Sequence, residues 1–172
     1  YALVARQAKV SDIHVLATAA AREAENGPAF IKAVSEICET EVSILTGKQE
    51  ADYARFGVLT GFYEPDGIAG DMGGGSMELV PVQVEEADGL TTPLGGLRLL
   101  NDSDGDVSQA RKLAKKALKS VDITWPGKGR TFYAIGGTWR SLARLHMFET
   151  GYLLDVVHEY TVPAKEFIKF CE

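Results

Sequence analysis

Asp71-Met72-Gly73-Gly74-Gly75-Ser76-Met77-Glu78 lies between two apolar runs, residues 68–72 and 77–84, which read as strands. Three consecutive glycines predict a sharp turn in which the main chain comes close to a ligand and takes up φ > 0. Successive N–H groups in such a turn form an anion nest. A plain hairpin needs only one or two glycines, so the acid before the turn and the serine after it favour a phosphate site. Ser76 adds a hydroxyl donor, and Asp71, at the strand end, is placed to hold a divalent cation or to orient a water. Glu78 stays open between a place near that metal and a solvated strand face.

On the N-terminal side, residues 13–17 and 42–46 read as strands. Gly27-Pro28 opens a helix carrying Phe30, Ile31, Val34, Ile37 and Cys38 at helical spacing. Residues 50–61 read as a second helix, with Ala51, Ala54, Val58 and Phe62 on one side, and Pro65-Asp66-Gly67 as a turn. The opening residues, from Tyr1, look like the tail of a helix already under way. On the C-terminal side a β-meander is expected: 68–72, 77–84, a polar turn at 85–89, and a third strand over 90–100 broken at Gly95-Gly96. Residues 101–106 form an acidic loop, and Asp106 with Gln109 caps a helix running to Ser120. A strand at 131–135 turns through Gly136-Gly137-Thr138 into a helix reaching Met147, and a last helix spans 164–171. Strands alternating with helices make this an α/β chain, with a break near Asp66 that divides residues 1–65 from 66–172.

Four further groups can carry chemistry. Gly136-Gly137-Thr138, between a strand and a helix N-terminus, favours an anion. Arg140 and Arg144 follow on one helix face, either toward phosphate or toward solvent. Arg22, in Ala17-Thr18-Ala19-Ala20-Ala21-Arg22-Glu23-Ala24, has small neighbours that leave room for a ligand it can grip bidentately, or it pairs with Glu23 or Glu25. Glu50, in Gly47-Lys48-Gln49-Glu50-Ala51, suits a helix N-terminus electrostatically and serves as a general base only if an attacking water lies within reach. Arg111, Lys112, Lys115, Lys116 and Lys119 form a basic stripe that reads as a solvated face or as a guide for a long anion.

The 172 residues carry a net charge of −6, with 45% hydrophobic and 24% charged residues, which suits a globular protein and argues against nucleic acid as a partner. No apolar run is long enough for a membrane span. Cys38 and Cys171 lack metal-ligand spacing and read as reduced thiols of a cytoplasmic protein. His14, His146 and His158 show no ligand spacing either.

Taken together, the Ala17–Ala24 segment, Gly47-x-x-Glu50-Ala51, Gly57-Val58, Asp71-x-Gly73-Gly74-Gly75-Ser76-x-Glu78-Leu79, Leu94-Gly95-Gly96-Leu97-Arg98-Leu99 and Gly136-Gly137-Thr138 resemble the exopolyphosphatase / guanosine pentaphosphate phosphohydrolase (Ppx/GppA) family. The glycine-serine turn alone is shared with other actin-like ATPases; the order and spacing of the segments are far more specific. The resemblance implies mixed sheets flanked by helices in two ribonuclease-H-like, actin-like lobes, with 1–65 ending the first lobe and 66–172 starting the second. It implies hydrolysis of a terminal phosphoanhydride bond of polyphosphate or guanosine pentaphosphate, Mg²⁺ or another divalent cation as cofactor, and a possible homodimer of the full-length protein. By resemblance Glu50 is the base for the attacking water and Arg22 helps hold the phosphate chain. Asp71 assists the metal or the water, Glu78 is a second metal candidate, and Gly73, Gly74, Gly75 and Ser76 cradle phosphate, joined by Gly136, Gly137 and Thr138. The alternative is a sensing module of the same fold that binds guanosine phosphates or ATP without turnover. Two departures stand out. Gln49 replaces the first of two adjacent glutamates usual in the family, and the first phosphate loop of the Asp-x-Gly-Ser-Asn-Ser type is absent from these residues. They therefore read as a central piece, expected to be weak or inactive alone.

Overall fold

The computed structural model describes residues 1–84, 87–123, 125 and 127–172. In chain order the elements are α1 (Ala2–Gln7), β1 (Val15–Ala17), α2 (Ala19–Glu23), α3 (Gly27–Cys38), β2 (Val42–Ile44), α4 (Gly47–Gly61), β3 (Gly67–Met72), β4 (Met77–Pro81), β5 (Leu90–Thr92), α5 (Gly96–Asp102), α6 (Val107–Ser120), β6 (Thr131–Ile135), α7 (Gly137–Thr150) and α8 (Ala164–Phe170).

Two sheets result. β1 and β2 pair in parallel, Val15 opposite Val42 and Ala17 opposite Ile44. The second sheet has the order β5-β4-β3-β6. Its first three strands are an antiparallel meander, and β6 returns parallel to β3 on the other side. A parallel return needs a long crossover, which α5 and α6 supply. Alternation along β3 and β4 sorts the side chains onto two faces. Ala69 and Val80 meet Ala51 and Val58 of α4 and Val82 in one core cluster, while Met77, Leu79 and Leu94 form another, packed by Ala114 and Ala117 of α6. Each fully buried valine here, such as Val58 and Val80, contributes about 1.5–3 kcal/mol. The first cluster joins α4 to the second sheet across residue 65.

The sequence expectations differ from the structure in several places. The third strand expected over 90–100 stops at Thr92, and the part beyond Gly95 is the helix α5. Leu97, Arg98, Leu99 and Leu100 are unbranched at Cβ and favour a helix; Gly95 takes the extended N-cap conformation that lets it start. The strand expected to reach Val84 ends at Pro81. The polar turn at 85–89 includes residues 85 and 86, which lie outside the described residues. The short helix α2 is an addition to the expected elements. α4 begins three residues earlier than expected because Thr46 and Gln49 form a capping box. The hydroxyl of Thr46 accepts from the Gln49 N–H (3.2 Å), and the Gln49 amide oxygen accepts from the Thr46 N–H (2.9 Å). Asp106 caps α6 as expected, its carboxylate accepting from the Gln109 N–H at 2.6 Å.

Candidate functional site

The C-terminal ends of β1, β2, β3 and β6 converge with the first turn of α4. Ligands of open α/β sheets gather at strand ends of this kind. Between them lies a cleft of about 400 Å³, lined by Thr18, Leu45, Glu50, Tyr53, Asp71, Ile135 and His158 among others. Glu50 is the fourth residue of α4, next to the capping-box residue Gln49, and Asp71 is the penultimate residue of β3. Asp71 stands opposite Glu78 on β4 and opposite Ile135 on β6. Because Asp71 and Ala69 share a face of the sheet, Asp71 and Glu78 both point to the side covered by α4, which brings three carboxylates together.

Crowding and burial set their electrostatics. Burial pushes the Asp71 carboxyl above its ordinary value, the charge of Glu50 adds to this, and the cation of Arg140 opposes it. Glu78 is raised too, first by burial; the hydroxyls of Ser76 and Thr91 pull the other way, and the Glu50 and Asp71 charges add to the rise. The Thr91 hydroxyl donates to Glu78 at 2.8 Å. Glu78 is only 3% exposed, so of the two places left open for it the solvated strand face is excluded. Ser76 is also buried, and its hydroxyl bonds to Glu78.

The glycine turn is a tight hairpin closed by the Gly73 N–H donating to Ser76 O at 3.0 Å. None of its three glycines has a positive φ, contrary to expectation. The close approach is made by Gly95, which packs against the turn. A Cβ on Gly75 would meet Ala19 Cβ at 3.4 Å, and one on Gly95 would lie 2.2 Å from Gly74 O. The Gly96 and Arg98 amides bond to Gly73 O and Gly74 O, whereas the amides of Gly74 and Gly75 donate to nothing among the described residues. Two N–H groups thus remain to meet an anion. Gly136 does have a positive φ, +109°, and turns β6 into α7 hard against Met72 O and Asp71. Gly137 starts α7, and the hydroxyl of Thr138 lies beside Gly96.

Arg22 pairs with Glu50, and the same Nη1 atom also donates to Leu45 O. Its Nη2 faces Glu23 at 3.9 Å. The structure therefore brings Arg22, Glu50, Asp71, Glu78 and the Gly73–Ser76 turn into one neighbourhood, adjoined by Gly136, Gly137 and Thr138. Three further residues stand at or near the site. Thr18 holds the N-cap position at the step from β1 to α2 and is half of the Thr-x-x-x-Arg segment that signals it. Arg140, which the sequence places between phosphate and solvent, sends its charge to Asp71. His158 comes from a distant segment and lies against the Phe62 ring, with centroids 5.3 Å apart; nothing in its local sequence signals this.

Among the described residues no group of three or more His, Cys, Asp and Glu has the arrangement of a metal cage, and no helix is long and apolar enough to cross a membrane. A Mg²⁺ ion does not need such a cage, since it binds through one or two carboxylates plus substrate phosphates and water. Asp71, raised by burial and by a neighbouring carboxylate, fits that donor set. Glu78, enclosed by two hydroxyl donors, fits it less well.

Residues 1–172 match the Ppx/GppA phosphatase family along their whole length. Exopolyphosphatase 2 of Mycobacterium tuberculosis is 26% identical over 93% of this chain and 55% of its own. The crystal structure of the Aquifex aeolicus member of the Ppx/GppA family superposes with a TM-score of 0.71 at 24% identity, over 99% of this chain and 57% of that one. An exopolyphosphatase from Cytophaga hutchinsonii gives 0.69 at 18% identity, over 89% and 53%. These likenesses show an α/β fold shared with the Ppx/GppA structures, and the chain spans about half the length of the relatives it matches.

Proposed function

The chain belongs to the Ppx/GppA phosphatase family, and from that premise we propose that the whole protein releases terminal orthophosphate from inorganic polyphosphate, with guanosine pentaphosphate as a further substrate. The observation that carries the reading is the meeting of Glu50 and Asp71 in one cleft, with the turn that follows Asp71 offering the Gly74 and Gly75 amides, which donate to nothing among the described residues. Water attacks the terminal phosphorus, the bridging P–O bond breaks toward the departing chain, and Glu50 accepts the proton of the water. The turn amides, the start of α7 and an arginine hold the phosphoryl oxygens. Such a site works by positioning and charge neutralisation, with little covalent work by the protein. A bound Mg²⁺ would be held by Asp71 and would neutralise charge on the phosphates.

The test is orthophosphate release by the full-length protein from polyphosphate and from guanosine pentaphosphate, with Mg²⁺ present. Glu50→Gln is expected to lower kcat by about 10²–10⁴-fold. Release that survives in the variant overturns Glu50 as base. Nucleotide binding without release from either substrate by the wild type moves the protein to the sensing reading.

A further inference from the structure

We propose that the two arginines of this site divide its work: Arg140 holds the anion in the cleft, and Arg22 is a positioning residue that fixes Glu50. The proposal rests on the hydrolase reading for Glu50 but assigns roles which that reading leaves open.

Arg22 is already committed. Both hydrogens of its Nη1 are taken, one by Leu45 O and one by Glu50. Its Nη2 edge faces Glu23, which Arg98 holds at 2.7 Å. Leu45 and Glu50 line the cleft, and neither Arg22 nor Arg140 is among the residues lining it. Its side chain is 25% exposed and that of Glu50 12%. One guanidinium therefore ties the chain just after β2 to the first turn of α4, and its rigid fork sets the direction of the Glu50 carboxylate. An anion gripped through Nη1 would compete with Glu50 for the donors that fix it.

Arg140 has the opposite character. It is the fourth residue of α7, and helical side chains lean toward the N-terminus, which brings its Nη2 to 3.9 Å from a Cβ built on Gly137. Its charge is felt by Asp71, which lines the cleft. Its guanidinium makes no hydrogen bond or ion pair among the described residues. A cation with all its donors available, beside the first amides of a 14-residue helix, is equipped to take phosphoryl oxygens bidentately. Arg144, one turn further along, lies away from Gly137 and is given no part.

The experiment uses the full-length protein with tripolyphosphate, read by calorimetry at fixed salt and by initial rates. Arg140→Gln is expected to bind tripolyphosphate about 10-fold more weakly and to raise KM. Arg22→Gln is expected to bind it within about 3-fold of wild type while kcat falls about 100-fold, the loss that a displaced catalytic group incurs. Arg22→Lys recovers part of that kcat. If Arg22→Gln does not fold, Arg22→Lys carries the comparison, with kcat lowered and binding kept. Arg22 variants that weaken binding as much as Arg140→Gln, with kcat intact, overturn the division. So does an Arg140→Gln protein that binds like wild type. A wild type that binds tripolyphosphate without cleaving it defeats the hydrolase reading and the positioning role of Arg22, while the binding comparison still decides the role of Arg140.

Discussion

Asp71 and Glu78 are direct partners across the antiparallel β3–β4 ladder, with both side chains on the face covered by α4. Like charges in this position repel, and here burial raises both carboxyls as well. The sheet carries an electrostatic cost at the point where it meets the cleft.

That cost has a definite pH signature. A carboxyl raised in the folded state holds its proton to a higher pH than it does in the unfolded chain. Between the two values the folded protein binds more protons, so stability falls as pH rises through that window and is level above it. Glu78→Gln removes one such group while its amide oxygen can still accept from Thr91. Its denaturation midpoint is expected to match wild type well below the ordinary carboxylate value of about 4 and to exceed it at neutral pH. A wild type that instead gains on the variant as pH rises would mean Glu78 is stabilised as a carboxylate.

Divalent cation binding should follow the same groups. A cation at Asp71 competes with the proton there, so its affinity is expected to rise with pH through the raised range. In the full-length protein, Mg²⁺ added with tripolyphosphate should raise the melting temperature, by about 2.7 kcal/mol of stability at a hundred times Kd. Asp71→Asn should lose most of that gain. An undiminished gain in the variant places the metal elsewhere.

Gln49, where the resemblance leads one to expect glutamate, closes the capping box on Thr46 with its side chain. Glutamine and glutamate both serve at this position. Gln49→Glu is therefore expected to leave kcat within about two-fold, whereas Thr46→Ala should cost about 1 kcal/mol in urea denaturation and lower kcat as the turn bearing Glu50 loosens. If Gln49→Glu raises kcat tenfold, residue 49 has a chemical role and not a capping one.

The sequence made the strands of the second sheet legible because their apolar runs are bounded by Gly and Pro. It made the site legible because Asp71, the glycine turn and the Gly136 turn sit at strand ends, where the topology itself brings them together. The reading failed where tertiary contact decides. Gly95 looked like a break within a strand, and it is the cap of a helix packed on Gly74. The glycines at 73–75 looked like carriers of positive φ, and none has one; the close approach at this turn is made by Gly95. Composition likewise cannot show that Arg22 pairs with Glu50, 28 residues away.

Gly136 concentrates these constraints, and two alanine substitutions separate them. At Gly136 an alanine faces both a backbone of φ +109° and a Cβ only 2.4 Å from Met72 O and 2.9 Å from Asp71 Oδ1. Neither neighbour can yield cheaply, one being main chain of the central strand and the other the carboxylate of the site. At Gly129 an alanine faces φ +78° but meets nothing within 4 Å. Both substitutions incur backbone strain of about 1–3 kcal/mol, so both should lower the denaturation midpoint. Only Gly136→Ala moves Asp71 against Glu50, and a shift of about 1 Å at such a group costs about 100-fold in rate. Phosphate release by the full-length protein should therefore collapse in Gly136→Ala and survive in Gly129→Ala at a temperature where both are folded. Equal rates in the two would mean that the Gly136 turn shapes the fold without shaping the cleft.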